Sequence, residues 1–209
     1  MNASMSKPYI VIGAGGHGVV IADILRKRGY FVKGFLDDGV AIDTEILGAK
    51  VLGRIERCIS HRECVFIIGI GDNDIRQSIA QKYPLEYGSA IHPSAILGEQ
   101  VKIGRGSALM AGCIINPRTV IGEHCIINTS ASLDHDNIIG DFVHVSPGAV
   151  FGGDVRIGDC THVGIGACLR HRISICSDVT VGAGAVVVKN ITRPGVYFGL
   201  PAIDKTGLK

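Results

Sequence analysis

Between Ala131 and Asp154 the chain reads ASLDHDNIIGDFVHVSPGAVFGGD, with two histidines, His135 and His144, among small residues, glycines and spaced aliphatics. His135 lies between Asp134 and Asp136. An imidazole exchanges a proton near neutral pH, and a carboxylate beside it raises its basicity and fixes its tautomer. The pattern suits a general base, with Asp136 as the orienting acid and Asp134 as the fallback. A second group lies near the start of the chain. Gly13, Gly15 and Gly18 in GAGGHG fit G-x-G-x-x-G, and Asp37 and Asp38 end the next strand. A glycine turn that opens a helix can cradle the pyrophosphate of a nucleotide.

The elements that must position these groups have two different grammars. Residues 1–90 read as an α/β unit: a strand at YIVIG, a helix with apolar residues at Val20, Ile24 and Leu25 that stops at Gly29, and a strand at FVKGFLDD. A buried strand at CVFIIGIG and a helix capped by Asp72 or Asn73 follow. From Ala95 to Asn190 the chain divides into sixteen unbroken rows of six residues, with Leu, Ile, Val or Phe at the third position of every row. Such a period cannot follow a 3.6-residue helix. It marks a β-helix, in which each short strand buries its aliphatic residue only by stacking on its neighbours. If three rows make a coil, residues eighteen apart stack about 4.8 Å from each other. His135 then lies beneath Gly153, itself beneath His171, and His144 lies beneath His162. His135 takes the fifth row position, outside the aliphatic column, so it is not a core histidine. His162 and His171 read as solvated surface residues. Gly153 leaves room for an acyl group and offers an N–H to a developing oxyanion.

Bulk properties exclude several classes. Net charge is +2 and the charged fraction 19%, so no strong field points to nucleic acid or a membrane surface. No apolar run is long enough to span a bilayer, and the opening MNASMSKPYIVIGAGG lacks the apolar core of a secretory leader. Seven cysteines without CxxC spacing fit reduced thiols and a cytoplasmic protein.

The rows resemble the hexapeptide acyltransferases, whose fold is a left-handed parallel β-helix of three hexapeptides per coil; the handedness comes from that resemblance. A narrower one runs through both halves. LDHDNIIGDFVHVSPGA, GAGGHG, FLDD, IGIGDNDIR and the closing RPGVYFGLPA are similar to the sialic acid O-acetyltransferase and bacillosamine-pathway UDP-amino-sugar N-acetyltransferase group. The resemblance implies a Rossmann-like UDP-sugar-binding domain over residues 1–90 and a left-handed β-helix acetyltransferase domain over residues 91–209. It implies His135 as proton acceptor and Asp136, where some relatives carry Glu, as the acid that raises its basicity. It places His144, Ile165 and Ala183 at acetyl-CoA. Asp37 and Asp38 fall at the uridine, Gly15, Gly16 and His17 beside the substrate, and Gly71 closes that pocket. It also implies a homotrimer, with coenzyme A between neighbouring coils.

The expected activity is therefore acetyl-CoA-dependent N-acetylation of a UDP-4-amino-4,6-dideoxy sugar, without a metal. The neighbouring alternative is O-acetylation of a sialic-type sugar, with a hydroxyl in place of the amine. A zinc-dependent hydratase on the same coil would need closely spaced histidines, and no two histidines of the rows fall within five residues of each other. A nicotinamide-dependent oxidoreductase would use the glycine motif, but the α/β region is too short for two mononucleotide-binding halves. Outward apolar residues at the second row position, Ile114, Ile126, Ile138 and Val186, are the expected subunit contacts.

Overall fold

The computed structural model describes residues 7–207, so the leaderless reading of the first six residues lies outside the described residues. The chain forms two compact units, residues 1–93 and 94–209.

In the first unit, β1 (Tyr9–Ile12), β2 (Val32–Leu36), β3 (Glu45–Ile46), β4 (Ala49–Gly53) and β5 (Val65–Ile68) form one sheet in the order β3-β4-β2-β1-β5. All neighbours are parallel except β3 against β4. The apolar runs of β1 and β5 are buried because the sheet is covered, as expected for parallel strands. Helix α1 (Gly16–Lys27) connects β1 to β2, and α2 (Asn73–Lys82) follows β5. Asp72 caps α2 by accepting from the Ile75 N–H at 2.9 Å. The buried face of α1 is Gly18, Ile21, Ala22, Ile24 and Leu25, whereas Val20 is 46% exposed. That corrects the helical register read from the sequence, which put Val20 inward. The cause is Gly18: a Cβ there would collide with the Gly13 carbonyl, so Gly18 faces the sheet. Residues three, four and seven further on must then face it too.

In the second unit the ladders of the hexapeptide rows pair residues eighteen apart, as in Ile96↔Ile114↔Ser132↔Val150↔Cys168↔Val186. The closing segment departs from this, with Val179–Val181 paired to Gly195–Tyr197 and Tyr197–Phe198 antiparallel to Ile203–Asp204. Two-residue strands stack into three parallel sheets, the faces of a left-handed β-helix. The third-position aliphatics fill its axis: Leu109, Ile115, Ile127, Leu133, Val145 and Val163 are fully buried. Leu97, in the first row, is 40% exposed. Buried polar residues at the first row position, among them Ser107, Thr119 and Asn137, bond to backbone within the turns. The exposed second-position apolar residues are Ile96, Ile114 and Val150 on one face and Val120 and Ile138 on the next. Ile126, expected among them, is 1% exposed and lies on the third face.

Each corner turns through a residue with left-handed φ at the sixth row position. One corner is rich in glycine there, with Gly112, Gly148, Gly166 and Gly184. The corner bearing His135 has none: Gln100, Arg118, Asp136, Asp154 and Arg172 all take φ between 55° and 63°.

Candidate active site

At the corner of His135 an open groove of about 840 Å³ is lined by Arg118, Asp136, His135, Gly153, His171 and Arg172, among others. The loop carrying His135 is pinned from below. The Thr119 hydroxyl (3.0 Å) and the Asn137 amide (2.6 Å) both donate to the Asp134 carbonyl, and the Asp136 N–H donates to the Pro117 carbonyl at 3.1 Å. The Asp134 carboxylate is committed elsewhere, accepting from the Asn116 amide at 2.9 Å and the His135 backbone N–H at 2.8 Å. Asp136 is therefore the partner of the ring: His135 Nδ1 lies 2.6 Å from Asp136 Oδ2. The aspartate arm suffices because the left-handed backbone at Asp136 brings its side chain to the imidazole.

Asp136 also accepts two bonds from Arg118, from Nε at 2.6 Å and from Nη2 at 2.7 Å. The Arg118 guanidinium, and after it the His135 ring, hold the Asp136 carboxyl well below the usual carboxylate range. An ionised carboxylate can only accept. Nδ1 therefore carries a proton, and in the neutral ring this tautomer leaves the lone pair on Nε2. The His135 side chain is 54% exposed, and among the described residues its Nε2 makes no intrachain hydrogen bond.

Gly153 lies directly against the ring. A Cβ there would come within 2.7 Å of His135 Cε1 and 2.8 Å of Nε2. The Gly153 carbonyl accepts from the Arg172 N–H, while its own N–H, among the described residues, bonds to no other part of the chain. His171 is exposed and lines the groove; His162, read from the sequence as a solvated residue, is half-buried. Its ring stacks on His144 with centroids 4.8 Å apart, and its Nε2 lies 2.8 Å from the Ser146 hydroxyl. Stacking at strand spacing turns two separate surface rings into one paired face. His144 Nε2 lies 3.1 Å from the Asn128 amide.

Not every expected site residue converges on His135. Ile165 (61% exposed) and Ala183 belong to the glycine-rich corner, where the Gly184 N–H donates to the Ile165 carbonyl at 2.8 Å. His144 is on the adjoining third face. One chain thus carries the base and these residues at different corners of its coil.

In the first unit, the loops after β1, β2 and β5 meet at the carboxyl edge of the sheet, where β1 lies between β2 and β5. Ligands of open α/β sheets bind at such a point. Gly13, Gly18 and Gly69 are demanded by the chain: a Cβ on Gly69 would come within 2.6 Å of the Gly18 Cα. Gly15 and Gly16 are different. They are exposed at the start of α1, and an added Cβ meets nothing within 4 Å. Burial, with the Arg76 charge adding to it, pushes the His17 imidazole down to about 4, so the ring is neutral at pH 7. Gly71 contributes its carbonyl to the buried Arg76, which also bonds the carbonyls of Ile70 and Asp72 and the Asn73 side chain. Asp38 is exposed and accepts from the Ile55 N–H at 3.0 Å.

Asp37 has a structural task that the sequence did not reveal. Oδ2 accepts from the Ala14 N–H at 2.7 Å, and Oδ1 from those of Gly39 (2.7 Å) and Val40 (2.9 Å). Partial burial acts to raise its carboxyl, and the three backbone donors outweigh that and leave it below its ordinary value. Its stabilising effect is thus fully present above the unfolded value of about 4 and is lost as pH falls through the lower folded value. Asp37→Asn is expected to lower Tm at pH 7, with the difference from wild type shrinking under acid; a thermal melt series in pH checks this.

Residues missed by sequence reasoning are Arg118, Asn116, Thr119 and Asn137. Their signal was available in the period, since residues 116, 118 and 119 lie eighteen before 134, 136 and 137.

Comparison with known proteins agrees with this architecture. Residues 9–83 match the family model described as the PglD N-terminal domain, and residues 76–173 that of the GMPPB C-terminal domain. The acetyltransferase domain of PglB from Neisseria gonorrhoeae is 34% identical, with TM-score 0.91, over 95% of this chain and 100% of that one. PerB from Caulobacter crescentus, solved with CoA and GDP-perosamine, is 35% identical, with TM-score 0.90, over 95% of this chain and 97% of its own. UDP-N-acetylbacillosamine N-acetyltransferase of Bacillus subtilis is 36% identical over 47% of this chain and 49% of that protein. The chain spans about half or less of the length of the curated relatives it matches, 49% and 21%. Among the described residues no helix is long and apolar enough to cross a membrane, and no three His, Cys, Asp or Glu gather as metal ligands. With its mostly parallel N-terminal sheet, its eighteen-residue coils and its near full-length likeness to the PglB acetyltransferase domain and PerB, the chain belongs to the left-handed β-helix family of acetyl-CoA-dependent sugar acetyltransferases.

Proposed function

We propose that this chain is an N-acetyltransferase that moves an acetyl group from acetyl-CoA to the amine of a UDP-linked 4-amino-4,6-dideoxy sugar. The observation that carries the reading is the His135–Asp136 contact of 2.6 Å at the edge of an open groove. Nε2 accepts the amine proton as the nitrogen bonds to the thioester carbon. Charge develops on the carbonyl oxygen, which the Gly153 N–H meets. The C–S bond then breaks, and the proton held by His135 passes to the departing thiolate. The amine rather than a hydroxyl is favoured by the relatives, which are named as N-acetyltransferases or bind an amino sugar.

The nucleotide half of the reading rests on the first unit. Gly15 and Gly16 leave open space at a helix N-terminus suited to a pyrophosphate. Asp38, exposed and bonded through one oxygen, keeps acceptor capacity for the N3–H of a uracil. The Bacillus relative is named for a UDP-sugar, whereas PerB was solved with a GDP-sugar. Calorimetry with UDP and GDP separates the two bases: UDP is expected to bind more tightly, and Asp38→Ala to weaken UDP while leaving CoA binding unchanged. Tighter GDP binding would overturn the uridine assignment and leave acetyl transfer standing.

The donor is read as lying along His144, Ile165 and Ala183, and so the site is complete only when another copy brings its glycine-rich corner to His135. The bare apolar faces bearing Ile114, Val150 and Ile138 suit a closed threefold ring. Light scattering is expected to show about three times the 22.0 kDa chain mass. An active particle of single-chain mass would sink the shared site.

A further inference from the structure

We infer that Arg118 is a positioning residue for acetyl transfer, holding Asp136 against His135 and so locking the tautomer of the base. This role rests on the reading of His135 as base, whereas the contacts that carry it do not.

Arg118 and Asp136 form a fork. Arg118 Nε and Nη2 reach the two oxygens of Asp136 at 2.6 and 2.7 Å, and Asp136 Oδ2 is the atom that His135 Nδ1 meets at 2.6 Å. Paired parallel bonds fix the plane of a carboxylate as well as its position, which a single point charge cannot do. Without the fork Asp136, one-third exposed in its side chain, has no side-chain partner other than His135 among the described residues. The ring cannot orient a carboxylate on which its own orientation depends. Arg118 breaks that circularity from one coil below, where residues eighteen apart stack.

The backbone bears on the test. Arg118 takes φ 63° and Asp136 φ 61°, as the turn of every corner of this coil requires at its sixth row position. Glycine meets that conformation without strain. On the glycine-rich corner this fold uses glycine at four equivalent positions. At the corner of His135 it places an arginine beneath an aspartate instead. The Arg118 side chain is 59% exposed, so it fills no core, and its Asp136 fork is its one ion pair among the described residues. Arg156 pairs with Asp154 at 3.6 Å, and among the described residues Asp136 has no ion pair besides those with Arg118 and His135, so no second cation replaces the fork.

Fork and backbone together predict an unusual signature: a substitution that relaxes the backbone while it harms the reaction. Arg118→Gly removes the fork and suits the left-handed turn. It is expected to keep or raise Tm, to lower kcat by about 10–100-fold and to leave KM for the donor nearly unchanged. Arg118→Lys keeps the charge but not the fork, and should recover only part of kcat. The readout that does not depend on turnover is the 15N spectrum of His135 in the purified protein without substrates. Wild type should hold the Nδ1–H tautomer. Arg118→Gly should show the mixed tautomers of a loosely held imidazole, with Arg118→Lys in between.

An unchanged Nδ1–H tautomer in Arg118→Gly would overturn the inference, whatever the rate. If the tautomer shifts and His135→Ala retains full activity, the positioning stands and the base assignment falls. If Arg118→Gly does not fold, Arg118→Asn tests the same point, because asparagine tolerates left-handed φ.

Discussion

His135→Ala is expected to lower kcat by ~10²–10⁴-fold, the usual contribution of a positioned general base. KM for donor and acceptor should move little, because the imidazole acts on the transferring proton and not on either ligand's ground state. The fold should survive: the side chain is more than half exposed, and the loop is held by Thr119, Asn137 and Asn116 through Asp134 rather than through the ring. Steady-state thiol release with acetyl-CoA and a UDP-amino sugar gives the number. Turnover within about threefold of wild type would remove His135 from the proton transfer, and with it the mechanism built on the 2.6 Å contact to Asp136.

Gly153→Ala should be nearly as damaging from a position that titrates nothing. Its Cβ would stand 2.7 Å from His135 Cε1 and 2.8 Å from Nε2, well inside van der Waals contact. The imidazole must turn away, and Nδ1 then leaves Asp136. Displacing a catalytic group by about 1 Å costs on the order of 10²-fold. Gly153 does not lie in the left-handed region, so alanine meets no backbone strain, and the variant keeps the same backbone N–H as a donor. The damage therefore reports on the ring and not on the oxyanion. Because both changes act through the same imidazole, the double variant His135→Ala with Gly153→Ala should be no slower than His135→Ala alone. Additive losses would show that Gly153 works by a separate route, and full activity in Gly153→Ala would show that the ring does not need its observed place.

The repeat was legible in the sequence because one physical requirement recurs in every row. A strand two residues long cannot bury its aliphatic side chain unless a similar neighbour lies above and below it. From that, the eighteen-residue register, the outward place of His135 and its stacking on Gly153 followed by counting. The choice of Asp136 over Asp134 was also readable as the first option, though only the left-handed turn shows why. In the first unit the glycine motif was visible, but sequence could not separate glycines that the backbone demands, Gly13 and Gly18, from those left open, Gly15 and Gly16.

Tertiary structure decided what depends on side chains meeting across coils or loops. Arg118 is one of 21 basic residues in the chain, and nothing local distinguishes it; its role exists only because the next coil places Asp136 within reach. Asp37 looked like a ligand-facing acid, and its oxygens are filled by three backbone donors, two of them reached only once the chain turns back at Gly39 and Val40. Val20 looked inward by period, and the contact of Gly18 with Gly13 rotated the helix so that it faces solvent. Periodicity states which residues must be inside. Which polar groups then find each other is set by directional bonds a few ångströms long, and those appear only when the coils are stacked.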